Sequence, residues 1–188
     1  MAKIYALLDE ETLQSKGWSI NQFINRAKSK GAKILQYRNK NGSLKEIEGR
    51  LKEIVSLFDG VVIVNDYLQL AYLCDGLHIG QEDLKNFGDT PYEAVLNIRE
   101  KLGTFKWLGL STHNEDEIKI ANELPLNYIG LGAYRDTKTK SDAKILGDKL
   151  PKLAKLSRHL VAAIGGVRLD DKIANVEYLV VGSGMYED

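Results

Sequence analysis

Residues 33–65 read KILQYRNKNGSLKEIEGRLKEIVSLFDGVVIVN. A short apolar run rich in Ile and Leu gives way to polar residues, then to a segment of helical period, then to a second run, Val61-Val62-Ile63-Val64. Ser43 followed by Glu46 has the spacing of a capping box, in which each side chain satisfies a backbone N–H of the other. After it, Leu44, Ile47, Leu51, Ile54, Val55 and Phe58 fall on one helical stripe that packs against a sheet. The second run is apolar at successive positions, as in a strand covered on both faces. Strand, amphipathic helix and doubly covered strand together form one βα unit of a parallel sheet.

Working outward, the same unit recurs along the chain. Strands are expected at 4–8, 33–37, 61–65, 76–79, 107–110, 128–131, 160–164 and 178–181. Further helix starts are signalled by Ser19 with Gln22, by Asn114 with Glu117, and by Thr90 before Pro91. Eight units predict an α/β fold, a closed (β/α)8 TIM barrel, in a single domain spanning 1–188. The 188 residues are well below the roughly 250 usual for this barrel, and only seven follow the eighth strand, so the last helix is expected to be missing or truncated. Apolar surface left there would be covered by a second subunit, giving a homodimer.

Composition narrows the partners. Lys plus Arg and Asp plus Glu number 26 each, so no basic excess points to nucleic acid or an anionic membrane. No apolar run is long enough for a signal peptide or a membrane span, and a cytoplasmic protein is expected. The single cysteine, Cys74, lies in an apolar stretch and reads as a buried side chain.

A TIM barrel's active site lies at the C-terminal ends of its strands. After the second strand, Gln36, Arg38 and Lys40 alternate to one side, and a guanidinium with an ammonium suits a phosphate clamp. After the third and fourth come Asn65-Asp66 and Gln81-Glu82-Asp83. Asp66 and Asp83 suit Mg²⁺, which takes one or two carboxylates plus phosphate oxygens and water; singly, each also suits a helix N-cap. After the fifth stand Ser111 and His113, a hydrogen-bond donor and a possible proton shuttle. A long polar loop after the sixth carries Thr137, Thr139 and Lys140. Glycine-rich turns follow the seventh and eighth strands, Gly165-Gly166 and Gly182-Ser183-Gly184, the barrel's habitual phosphate position. His78 alternates with apolar residues inside a strand and His159 precedes one, so both read as structural.

Taken together, Gln36-Tyr37-Arg38-Asn39-Lys40, Val64-Asn65-Asp66, the string 75–83 (DGLHIGQED), Gly109-Leu110-Ser111-Thr112-His113, Thr137-Lys138-Thr139-Lys140 and Ala163-Ile164-Gly165-Gly166 resemble the thiamine-phosphate synthase family over the whole chain. The resemblance implies a transferase that joins hydroxymethylpyrimidine pyrophosphate to hydroxyethylthiazole phosphate, releasing pyrophosphate by an Mg²⁺-assisted dissociative route. It implies Asp66 and Asp83 as metal ligands, and Ser111, Lys140 and Arg38 as catalytic. Arg38, Lys40, Asn65, Ser111 and Lys140 hold the pyrophosphate, with Gln36 near the pyrimidine. Thr137, Thr139, Gly166, Gly182 and Ser183 receive the thiazole phosphate. The sequence departs from the family at Tyr134-Arg135-Asp136, where an aromatic followed by proline is usual, at Gly182, where an aliphatic residue is usual, and at Asp170-Asp171. Two alternatives share the fold: a thiazole tautomerase acting through His113, and a non-catalytic barrel that binds a thiamine precursor. The tautomerase needs neither the cation clamp nor the carboxylate pair.

Overall fold

Eight parallel strands close into a barrel in sequence order, β8 returning to pair with β1. They are β1 (Lys3–Asp9), β2 (Ile34–Arg38), β3 (Val61–Asn65), β4 (Gly76–Ile79), β5 (Trp107–Thr112), β6 (Tyr128–Gly132), β7 (Leu160–Ile164) and β8 (Tyr178–Val181). The computed structural model describes residues 2–136 and 144–187. All eight expected strands form, four of them with the expected bounds and the rest longer or displaced by one or two residues.

Closure divides each strand's side chains between two cores. Tyr5, Leu7, Ile34, Ile63, Tyr128, Ala162, Tyr178 and Val180 fill the barrel interior. Their neighbours Ala6, Leu8, Leu35, Tyr37, Val62, Val64, Leu77 and Ile79 face outward to the helices. This is why the strands read as unbroken apolar runs: both faces are buried, so the period-two signal vanishes. Within the interior, Gly109 is required by space. A Cβ there would stand 2.1 Å from the Tyr128 ring, which occupies that volume.

The outer layer is helical but uneven. It comprises α1 (Glu10–Ser15), α2 (Ile20–Ser29), α3 (Leu44–Leu57), α4 (Pro91–Leu102), α5 (Glu115–Ala121) and α6 (Leu150–Ala154). The capping boxes at Ser19/Gln22 and Ser43/Glu46 both form. Thr90 caps α4 ahead of Pro91, and Asn114 caps α5. On α3 the stripe is narrower than expected: Ile47, Leu51 and Ile54 are fully buried, whereas Leu44 and Val55 are 48% and 41% exposed. Burying each of the three core side chains stabilises the layer by roughly 1.5–3 kcal/mol.

Two of the links lack an α-helix. β3 and β4 are joined by a 3-10 turn, Leu68–Leu73, which tucks Leu70 and Ala71 against the barrel. β7 and β8 are joined by turns alone, with Val167 and Ile173 supplying the buried contacts. After β8 comes a 3-10 turn, Ser183–Tyr186. Its Met185 is buried, and the Tyr186 ring packs against Trp18 and Phe23 at centroid distances of 4.9 and 5.5 Å.

Candidate active site

The parallel arrangement sends every strand's C-terminal end to one rim, and a cavity opens there. Gln36, Arg38 and Lys40 from β2 and beyond line it on one side, with Asn65, Asp66 and Asp83 beside them and Ser111 and His113 from the β5 end. Gly166, Gly182 and Ser183 close the opposite side. Among the described residues, every expected site residue faces this one cavity. Thr137, Thr139 and Lys140 lie outside the described residues.

One half is a polarised network. The Gln36 amide donates to the Asn65 side-chain oxygen at 3.2 Å, and the Asn65 amide donates to Asp66 Oδ2 at 2.6 Å. Lys40 Nζ also donates to Asp66 Oδ2 at 2.6 Å and lies 4.0 Å from Asp83 Oδ2. Burial works against the Lys40 ammonium, but the hydrogen bond and charge of Asp66, with the charge of Asp83, raise its pKa above the ordinary lysine value. Arg38 is held by Asp9, the last residue of β1, whose other oxygen caps α1 through the Thr12 N–H at 3.1 Å. Asp9 is 6% exposed, so the carboxylate that orients Arg38 is itself shielded from solvent.

Asp66 and Asp83 bear the marks of a cation site. Asp66 has φ of +67°, a left-handed conformation unusual outside glycine, of the kind that concentrates at ligand sites. Asp83 Oδ2 is buried without a hydrogen-bond partner. Burial first, then the negative charge of Asp66, pushes the Asp83 carboxyl pKa up. A divalent cation relieves both costs. No group of three or more His, Cys, Asp or Glu converges among the described residues, so a dedicated all-protein cage is absent there. Two carboxylates opposite an anion clamp fit a cation that shares its shell with substrate phosphate and water.

The other half is backbone. Gly165 and Gly166 turn with φ of +86° and +64°. A Cβ on Gly166 would also stand 2.7 Å from Arg135 Cβ, so only glycine fits. The turn is pinned from the end of β6: Tyr134 N–H donates to Ile164 O and Arg135 N–H to Gly165 O, both at 2.8 Å. Arg135 Nη1 donates to Gly166 O at 3.0 Å, and the guanidinium grips Asp171 through two bonds of 2.6 and 2.7 Å. Two departures from the family pattern, Arg135 and Asp171, are thus partners in one contact. Gly182 is different. A Cβ there meets Leu7 at 3.6 Å, an ordinary contact, so glycine widens the cavity without being sterically required.

His78 and His113 exchange emphasis relative to the sequence. His113 is tied to its own helix, with Nδ1 2.9 Å from Glu117 Oε2. His78 lines the cavity, with Nε2 2.9 Å from Ser111 Oγ. Its alternation with Leu77 and Ile79 marked one face of β4. That this face is the barrel interior follows from the register, which sets His78 beside Asn65 and Gly109. Gln81, which donates to Ser111 O at 2.9 Å, was likewise invisible as a support of the fifth strand. His159 is structural, with Nε2 bonded to Ala121 O at 2.8 Å.

Fold and site define a (β/α)8-barrel enzyme with a cation-and-carboxylate clamp facing a glycine-lined anion turn. Residues 4–181 match the family model described as thiamine monophosphate synthase. The chain is 38% identical over 170 residues to the thiamine-phosphate synthase of Persephonella marina, covering 87% of this chain and 76% of that protein. It is 35% identical over 147 residues to that of Lawsonia intracellularis, covering 75% and 62%. A solved thiamine phosphate pyrophosphorylase from Pyrococcus furiosus superposes with a TM-score of 0.75 at 22% identity, over 97% of this chain and 87% of that one, which shows the shared fold. The chain belongs to the thiamine monophosphate synthase family, a family of transferases.

Proposed function

We propose that the chain joins hydroxymethylpyrimidine pyrophosphate to hydroxyethylthiazole phosphate, giving thiamine phosphate and pyrophosphate. The observation that carries this is the clamp of Arg38 and Lys40 over Asp66 and an Asp83 oxygen buried without a hydrogen bond. In the dissociative route, the bond from the pyrimidine methylene to the pyrophosphate oxygen breaks, and its electron pair leaves with the pyrophosphate. The thiazole nitrogen lone pair then forms the new C–N bond, with no proton transfer required. Catalysis therefore consists of stabilising negative charge where it develops. Arg38, Lys40, Asn65 and the Ser111 hydroxyl hold that charge, and Gln36 orients the pyrimidine. Asp66 and Asp83 would hold Mg²⁺, which would supply positive charge against the pyrophosphate oxygens. Lys40, which bridges the two carboxylates, would contribute its ammonium charge to the pyrophosphate beside that cation. Gly166 and the Gly182-Ser183 turn receive the thiazole phosphate; Thr137, Thr139 and Lys140 are assigned to the two anions by resemblance.

The test is incubation with both substrates and Mg²⁺. Thiamine phosphate formed with the metal and abolished by a chelator is the expected outcome. Binding without turnover, or isomerisation of the thiazole ring without metal, refutes the reading. To the same proposal belong a single domain over 1–188, a cytoplasmic site of action and small molecules as the only partners besides a second subunit. Among the described residues no helix is long and apolar enough to cross a membrane. For a homodimer, the support is the exposed Tyr92 and Leu96 on one face of α4, near in sequence to the fully exposed Phe105. Sedimentation showing only monomer at micromolar concentration refutes it.

A further inference from the structure

Four polar side chains form a hydrogen-bonded chain through the barrel interior to the cavity. Tyr5 Oη lies 2.9 Å from Tyr128 Oη, which lies 2.9 Å from His78 Nδ1, and His78 Nε2 lies 2.9 Å from Ser111 Oγ. Tyr5 and Tyr128 are 1% exposed. Missing side chains make the room: besides Gly109 under the Tyr128 ring, a Cβ on Gly130 would stand 3.1 Å from His78 Cε1.

Each hydrogen in such a chain can point either way, and the closed end decides. Among the described residues, Tyr128 is the only hydrogen-bond partner of the Tyr5 hydroxyl, which is otherwise packed edge-on by the Tyr128 and Tyr178 rings. A buried O–H left without an acceptor is costly, whereas an oxygen tolerates an unused lone pair. Tyr5 therefore donates to Tyr128. The Tyr128 hydrogen then goes to its remaining partner, His78 Nδ1, which must be the unprotonated ring nitrogen. A ring whose Nδ1 accepts cannot be imidazolium, in which both nitrogens donate, so the imidazole is neutral. A neutral imidazole with Nδ1 accepting carries its hydrogen on Nε2 and donates it to Ser111 Oγ. Ser111 then accepts from within and has its own hydrogen free for the cavity. The reverse polarity strands the Tyr5 hydrogen and turns the Ser111 hydrogen inward, leaving only lone pairs to face an anion.

We propose that Tyr5, Tyr128 and His78 are positioning residues that fix the His78 Nε2–H tautomer and so aim the Ser111 hydroxyl hydrogen at the departing pyrophosphate. The final step rests on the reading of Ser111 given under Proposed function; the tautomer does not.

The experiment is a two-bond ¹⁵N–¹H correlation spectrum of the full chain at pH 7.5, with His113→Gln and His159→Gln variants assigning the His78 signals. The expected result is the Nε2–H tautomer, unchanged between pH 6 and 8. An Nδ1–H tautomer or an imidazolium at pH 7.5 overturns the proposal. Tyr128→Phe removes the donor to Nδ1 and should let both tautomers appear. It should lower kcat by about tenfold, less than the roughly 10²–10³ for deleting an oxyanion donor outright, with KM for both substrates nearly unchanged. Tyr5→Phe should give the same change in smaller measure, and serves where Tyr128→Phe does not fold. A variant that keeps a pure Nε2–H signal and full kcat overturns the proposal. A wild-type chain with His78 in the Nε2–H form but without synthase turnover supports the tautomer assignment and refutes the synthase reading, so the two failures are distinguishable.

Discussion

Arg135 and Asp171 should be coupled in stability and in one substrate only. The guanidinium makes two bonds to Asp171, at 2.6 and 2.7 Å, and a third to Gly166 O at 3.0 Å. Bonds to charged groups contribute about 1.5–3 kcal/mol when shielded. Here Asp171 is 11% and Arg135 40% exposed, so solvent screening reduces the pair, and a coupling of about 1 kcal/mol is expected. Its pH dependence has a definite sign. The hydrogen bond from Arg135 holds the Asp171 carboxyl below the ordinary carboxylate range. A depressed folded pKa stabilises above the unfolded value, about 3.9, and the gain is lost as pH falls through the folded value. The stability gap between wild type and Asp171→Asn should therefore be present at pH 7 and close below about pH 4. Urea unfolding of wild type, Arg135→Ala, Asp171→Ala and the double variant measures the coupling, and steady-state kinetics gives its consequence. KM for the thiazole phosphate should rise severalfold while KM for the pyrimidine pyrophosphate holds, because the pair pins the Gly165-Gly166 turn and touches nothing in the Arg38–Lys40 half. A coupling under about 0.3 kcal/mol, within the ordinary error of additivity, or equal changes in both KM values, would show the reasoning to be wrong.

Two further outcomes follow from packing and charge. Asp83→Asn removes a carboxylate whose charge is disfavoured by burial and by Asp66 and whose Oδ2 makes no hydrogen bond, so the metal-free variant should melt no lower than wild type. It should also lose Mg²⁺-dependent thermal protection and most turnover; protection retained at the wild-type level would exclude Asp83 as a ligand. Gly182→Ala should fold and melt nearly as wild type, since its Cβ finds ordinary contact distances. Gly109→Ala, whose Cβ would fall 2.1 Å from the Tyr128 ring, should destabilise by at least the 1–3 kcal/mol typical of overpacking. Thermal melts of the two variants side by side decide this, and equal melting points would contradict it.

The order of elements was legible because its signals are local. Capping boxes join residues three apart, a helical stripe repeats within a few turns, and a doubly covered strand is apolar along its own length. The site's roster was legible for a related reason: a parallel barrel gathers all strand ends on one rim, so Gln36, Arg38, Lys40, Asn65, Asp66, Asp83 and Ser111 converge once the alternation is recognised. The Leu68–Leu73 turn and the helix-free link after β7 were not legible, because the same apolar spacing suits a 3-10 turn or a short helix and packing selects between them.

What only the tertiary structure decided is which side chains speak to one another. Tyr5 and Tyr128 are 123 residues apart, His78 and Tyr128 are 50, and Arg135 and Asp171 are 36. Closing β8 onto β1 and setting the register between neighbours brings these groups within hydrogen-bond reach. His78 read as a strand histidine from its own neighbours; the barrel's closure made it the group behind Ser111. The sequence by itself determined the barrel and the cast of charged and glycine residues at its rim. Strand register, a property of pairs of strands and of neither alone, decided how those residues are held.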